Sequence, residues 1–139
     1  MTLSPLLPLH DGHGIPQLGL GVYKIADAAS ADAVQVALEA GYRHIDTAAL
    51  YENETGVGQG IARSGLPRED VFVTTKVWND QHGLDKTLRA FDVSLAKLGL
   101  DYVDLYLIHW PAPRQDLFVD TWRPRDAPRL RSRALDRGV

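Results

Sequence analysis

Four side chains in this sequence could together act on a carbonyl group: Asp46, Tyr51, Lys76 and His109. A tyrosine is a poor acid at neutral pH, but a lysine ammonium within hydrogen-bond reach favours the phenolate and so eases loss of the proton. An aspartate beside that lysine keeps it charged and in place, and a histidine can polarise or orient an oxygen. Such a set could protonate a carbonyl oxygen while a hydride arrives at the carbon. It contains no strong nucleophile and no convincing metal triad, which argues against covalent hydrolysis and zinc chemistry.

The elements that must position these residues are legible in outline. The opening "LPLHDGHGIPQLGLG" reads as a β-hairpin, because Asp11-Gly12 favours the positive φ angles of tight turns. "QLGLGVYKI" suggests a strand ending near Tyr23. A helix follows, with Ser30 as N-cap, the run "ADAVQVALEA", and Gly41 as its stop. "YRHID" is a short strand ending at Asp46, and a glycine-weakened helix runs from Asn53 or Glu54 toward Gly65. "VFVTTK" is a strand ending at Lys76. Leu84, Leu88, Phe91, Leu95 and Leu98 are spaced by four, three, four and three, which places them on one helical face, and Gly99 ends that helix. "DYVDLYLIH" is a fourth strand, ending at His109.

The order is therefore a hairpin followed by β-α-β-α-β-α-β, which implies an α/β fold with a parallel sheet. Strand ends near 23, 46, 76 and 109 suit a β/α barrel or a doubly wound sheet. Such folds place their active sites at the carboxyl ends of the strands. Asp46, Lys76 and His109 fall at those ends, with Tyr51 in the loop after Asp46. Singly, each has a bland explanation: a loop cap, an amphipathic packing ring, a snorkelling lysine, a histidine bonded to a carbonyl. Four together at one rim favour a shared site.

Composition narrows the class. The chain has 139 residues, 45% hydrophobic and 24% charged, which suits one folded domain. It has no cysteine, so disulfides and thiolate chemistry are excluded and a cytoplasmic location is expected. The N-terminus lacks a basic region and is cut by Pro5 and Pro8, so neither a signal peptide nor membrane association is expected. The net charge is −3, and six arginines against two aspartates in residues 123–139 leave −7 on the first 122. That acidic body argues against a nucleic-acid partner.

Several stretches resemble the aldo-keto reductase family. "GYRHIDTAALYENETGVG" (41–58) is similar to its first signature. "TTKVWN" (74–79) and "LYLIHWP" (105–111) resemble its lysine and histidine segments, and "GLGVYK" (19–24) its first strand. The motif style is most like the bacterial 2,5-diketo-D-gluconate reductase branch. The resemblance implies NADPH-dependent reduction of a small carbonyl substrate, an aldehyde or ketone, on a (β/α)8 barrel. Tyr51 would be the general acid, favoured by Lys76, with Asp46 paired to Lys76 and His109 orienting the carbonyl. Gly21, Val22, Tyr23 and Asp46 would lie at the nicotinamide, and Tyr23, Leu50, Trp78 and Trp110 would line an apolar substrate pocket.

A full barrel of this kind takes about 250 residues and eight strands; four are expected here. The fold expected is the N-terminal half of a (β/α)8 TIM barrel preceded by a β-hairpin, over residues 1–122. "PRQDLFVDTW" begins as a fourth helix, with Phe118 and Trp122 four apart, and Pro124 should stop it. Residues 123–139, rich in arginine and proline, read as a tail outside the family pattern, disordered or the product of a shifted reading frame. Later strands, which in the family carry most of the cofactor site, are not seen. Three functional readings follow: a truncated reductase inactive alone, a half-barrel completed by dimerisation or a second chain, or a non-catalytic nucleotide-sensing module. Open strand edges at a half-barrel also predict self-association.

Overall fold

The structure is a computed structural model and describes residues 4–122. The expected arginine-rich tail lies outside the described residues. The chain opens with an antiparallel hairpin of β1 (Leu6–Pro8) and β2 (Gly14–Pro16). Of the Asp11-Gly12 pair, only Gly12 takes a positive φ (85°). Asp11 instead accepts a hydrogen bond from the His13 amide at 3.0 Å, so the turn is a longer side-chain-braced loop.

Four parallel strands follow in spatial order β3-β4-β5-β6: β3 (Leu20–Gly21), β4 (His44–Asp46), β5 (Phe72–Val77) and β6 (Leu105–Ile108). Between them run α1 (Asp27–Glu39), α2 (Glu54–Arg63) and α3 (Leu84–Leu98), and α4 (Phe118–Trp122) follows β6. The half-barrel order is borne out: each strand pairs with the one before it, Gly21 beside Asp46, Asp46 beside Thr74, and Lys76 beside Leu107. Because side chains alternate along a strand, the register carries Asp46 and Lys76 to the same face. Val73, Thr75 and Val77 point to the other, toward the helices.

That second face holds the core. Val22, Val34, Leu38, Ile45, Val57, Ile61, Val71, Val73 and Leu98 form one buried cluster between sheet and helices. Each such side chain contributes roughly 1.5–3 kcal/mol by leaving water. The three glycines of α2 explain themselves here. A Cβ at Gly56 would stand 2.2 Å from the Asp27 carbonyl oxygen, and one at Gly58 would stand 2.0 Å from that of Leu98. The helical weakness of glycine is offset by an approach no other residue permits. Asp27 also accepts a hydrogen bond from the Gly56 amide at 2.8 Å, so α1 satisfies a free donor in the first turn of α2.

Three local expectations are corrected. Ser30 does not cap α1, which starts three residues earlier. Its buried hydroxyl donates back to the Ala26 carbonyl at 3.0 Å, a bond that serines make inside helices. Leu84 begins α3 but stays 43% exposed, so the buried stripe starts further along the helix. Phe118 and Trp122 are both exposed, while Thr121 is the buried residue of α4; its hydroxyl accepts the Gly83 amide at 2.8 Å. The α3 stop is as expected: Gly99 takes φ 65° and the Leu100 amide reaches back to the Leu95 carbonyl.

One clamp sets the strands that carry Lys76 and His109. Arg68 donates to Asp104 Oδ2 at 2.8 Å and to the Tyr102 carbonyl at 2.9 Å, and stacks over the Tyr102 ring. The same Asp104 oxygen accepts the Val73 amide at 2.9 Å. The segments entering β5 and β6 are thereby tied together before either strand begins. Among the described residues no helix is long and apolar enough to cross a membrane.

Candidate active site

All four candidate side chains gather at the carboxyl ends of the parallel strands. Lys76, one residue before the end of β5, donates from Nζ to Asp46 Oδ1 at 2.6 Å and to the Thr47 carbonyl at 2.8 Å. Asp46 ends β4 in the next strand over. Tyr51 sits in a single 3-10 turn, Ala49–Tyr51, just past that strand. The Lys76 ammonium lies 5.2 Å from the centroid of the Tyr51 ring. Two of its three donors are committed to Asp46 and Thr47, which leaves one for the mouth of the site.

His109 follows β6, with its amide bonded to the Val77 carbonyl. Its ring stands edge-on to Tyr51 at 5.6 Å between centroids and edge-on to Trp78 at 5.2 Å. Burial, together with the Lys76 charge, pushes the imidazole below its ordinary value, and the Asp46 carboxylate opposes this only in part. His109 is therefore a neutral ring at neutral pH, able to donate from one nitrogen and accept at the other. Its Nδ1 is buried without a hydrogen-bond partner among the described residues.

The expected pocket residues fall into two groups. Tyr23, Trp78 and Trp110 join the cluster: the Tyr23 ring lies 5.0 Å from that of Tyr51, and the Trp110 ring is parallel to His109 at 6.4 Å. Tyr23 is 61% exposed and Trp110 58%, so both present large apolar surfaces at the rim. Leu50, beside Tyr51, is 40% exposed. Of the residues expected at the nicotinamide, Gly21 pairs with Asp46 and has open space where a Cβ would stand. The Val22 side chain is wholly in the core, so Val22 meets the rim only through its backbone.

Sequence reasoning passed over the residues beneath the rim. Thr47 and Asn53 are fully buried, and the Thr47 hydroxyl donates to Asn53 Oδ1 at 2.8 Å. Glu54, also buried, accepts the Thr75 hydroxyl at 2.7 Å, joining the start of α2 to the residue preceding Lys76. A polar pair opening a helix reads as capping, yet Asn53 makes no side-chain cap bond.

Comparison with known proteins gives the family. The Aldo/keto reductase family model matches residues 12–127, and the chain belongs to that family. A 9,11-endoperoxide prostaglandin H2 reductase of Trypanosoma cruzi is 61% identical over 83% of this chain and 40% of its own length. The crystal structure of an aldo/keto reductase from Brucella melitensis superposes with a TM-score of 0.87 at 54% identity, covering 93% of this chain and 51% of that one. A Bombyx mori aldo-keto reductase solved in complex with NADP gives a TM-score of 0.81 at 44% identity, over 90% and 48% of the two chains. The chain thus spans about half the length of the curated relatives it matches.

Proposed function

We propose that the rim of this half-barrel reduces aldehydes and ketones to alcohols with NADPH, Tyr51 supplying the proton. One observation carries the reading: a lysine ammonium, fixed by Asp46 and the Thr47 carbonyl, lies over the Tyr51 ring while His109 stands edge-on to that ring. The remaining Lys76 donor favours the tyrosinate that forms as the proton leaves. His109 donates a hydrogen bond to the substrate oxygen and so fixes it beside the Tyr51 hydroxyl. Tyr23, Leu50, Trp78 and Trp110 form apolar walls that shed water from the carbonyl carbon.

NADPH, when bound, supplies the hydride. Gly21, Tyr23, Asp46 and the Val22 backbone would hold its nicotinamide end. The open space at Gly21, the exposed Tyr23 ring and the partnerless Nδ1 of His109 fit a flat polar ring there. We expect the 139 residues by themselves to turn over more slowly than a full-length relative, since the resemblance assigns most nucleotide contacts to later strands. β3 and β6 each have one hydrogen-bonded neighbour among the described strands, and we expect these edges to pair between copies. Light scattering checks that; a monodisperse monomer at high concentration would refute it.

The function is tested by nucleotide fluorescence and carbonyl-dependent NADPH oxidation on the same sample. Binding with oxidation supports the proposal. Binding without oxidation favours a nucleotide-sensing module, and no binding removes the cofactor from the account.

A further inference from the structure

Two loops carry the tyrosines of the site, and both hold an uncommon backbone. Lys24, next to Tyr23, has φ 66°, and Glu52, next to Tyr51, has φ 54°. Non-glycine residues in this left-handed region are strained, and they persist only where the surroundings over-determine them. One buried side chain touches both loops. Asn53 Nδ2 donates to the Val22 carbonyl at 3.0 Å and to the Ile25 carbonyl at 2.9 Å, on either side of Tyr23 and Lys24. Its Oδ1 accepts the Thr47 hydroxyl at 2.8 Å, and the carbonyl of the same Thr47 accepts Lys76 Nζ. Asn53 itself follows Glu52 directly.

We infer that Asn53 is a positioning residue that locks the Tyr23 loop to the Tyr51–Lys76 unit, and so fixes the nicotinamide-side wall relative to the proton donor. This rests on the carbonyl-reductase reading of the rim. The side chain must be an amide. Two of its contacts are carbonyl oxygens that need a donor, and the third is a hydroxyl that needs an acceptor. An aspartate would set a carboxylate oxygen against two carbonyl oxygens in a buried place. The arrangement acts through Tyr23, Tyr51 and Lys76, and Asn53 touches no reacting atom.

Asn53→Asp and the milder Thr47→Val test the inference on the full chain, with Thr47→Ser as the rescue that restores the hydroxyl. Two readouts separate positioning from general support: amide hydrogen exchange by segment, and kcat against KM for NADPH oxidation per folded molecule. For Asn53→Asp, exchange at Val22, Ile25 and Tyr51 should rise by about tenfold or more over the change in α3, as local loss of a hydrogen bond requires. The value of kcat/KM should fall on the order of 100-fold, the cost of a misplaced reacting group. Thr47→Val should move both in the same direction by less, and Thr47→Ser should restore them. Exchange that rises equally across β5 and α3, with turnover per folded molecule unchanged, would overturn the inference. Should the wild-type chain neither bind NADPH nor turn over, the function reading fails, and the segmental exchange pattern alone still decides whether Asn53 locks the loops.

Discussion

Just before β5, Arg68 commits its guanidinium to Asp104 and to backbone carbonyls. At the other end of the same strand, Lys76 gives two donors to Asp46 and Thr47 and faces Tyr51 with the rest. The Asp104 side chain is 2% exposed, whereas that of Asp46 is 33% exposed. The first joins the segments entering β5 and β6 and the second joins β5 to β4, but the buried one is closed on itself and the open one keeps reach into the mouth. A planar fork suits the first, where several fixed acceptors must be met at once. A flexible point charge suits the second, where the proposed mechanism asks a charge to follow a proton in transit. Burial and committed donors, together with residue type, separate the closed pair from the open one.

The contrast can be broken by exchanging the effects of the two pairs. Lys76→Met should lower kcat/KM by roughly 10²–10⁴-fold, the span of acid–base assistance, while costing only about 1 kcal/mol in denaturant melts, since Asp46 keeps access to water. Arg68→Ala should do the reverse. Stranding a buried carboxylate costs roughly 3–5 kcal/mol, and turnover per molecule still folded should stay within about twofold, because the site lies at the other end of β5. Urea melts and steady-state kinetics on the same two variants check both. A catalytic collapse in Arg68→Ala without unfolding would merge the two roles.

A smaller effect is expected from pH. Burial lowers His44, His82 and His109 below the ordinary imidazole value of 6.5. The folded chain therefore holds them neutral where the unfolded chain takes up protons. Stability should be complete above pH ~6.5 and fall as the pH drops through that value toward the lower folded values, by a few degrees in Tm. Thermal melts from pH 8 to 5 would show it; a flat profile would contradict the buried, neutral state of these rings. The smallest change is expected at Tyr106, on the outer face of β6. Burial and the Glu54 charge raise its hydroxyl above the ordinary phenol value, and that hydroxyl has no partner among the described residues. Tyr106→Phe should be neutral or stabilising by up to about 1 kcal/mol, with turnover intact, whereas the same change at Tyr51 should stop it.

What the sequence revealed follows from how local its signals are. Strand ends at Asp46, Lys76 and His109 were legible because period and element order place them without any tertiary knowledge, and α3 was legible from Leu88, Phe91, Leu95 and Leu98. A serine before an alanine-rich run looks like a cap, but α1 begins at Asp27 with no side-chain cap bond, and Ser30 lies inside it. The α2 glycines looked like weakness until the helix backbones met. Asn53 and Thr47 were silent for the same reason: their partners at Val22, Ile25 and Lys76 are 28 to 31 residues away in sequence. Phe118 and Trp122 show the opposite failure, an apolar spacing with no described surface to cover it.

The central claim is that Tyr51 is the proton donor of a carbonyl-reducing rim. It is tested most directly by the rate of NADPH oxidation with a short aldehyde, wild type against Tyr51→Phe, at matched folded concentration and nucleotide occupancy. A loss of roughly 100-fold or more in kcat, with NADPH binding retained, is the predicted result. Equal rates in the two proteins would contradict it.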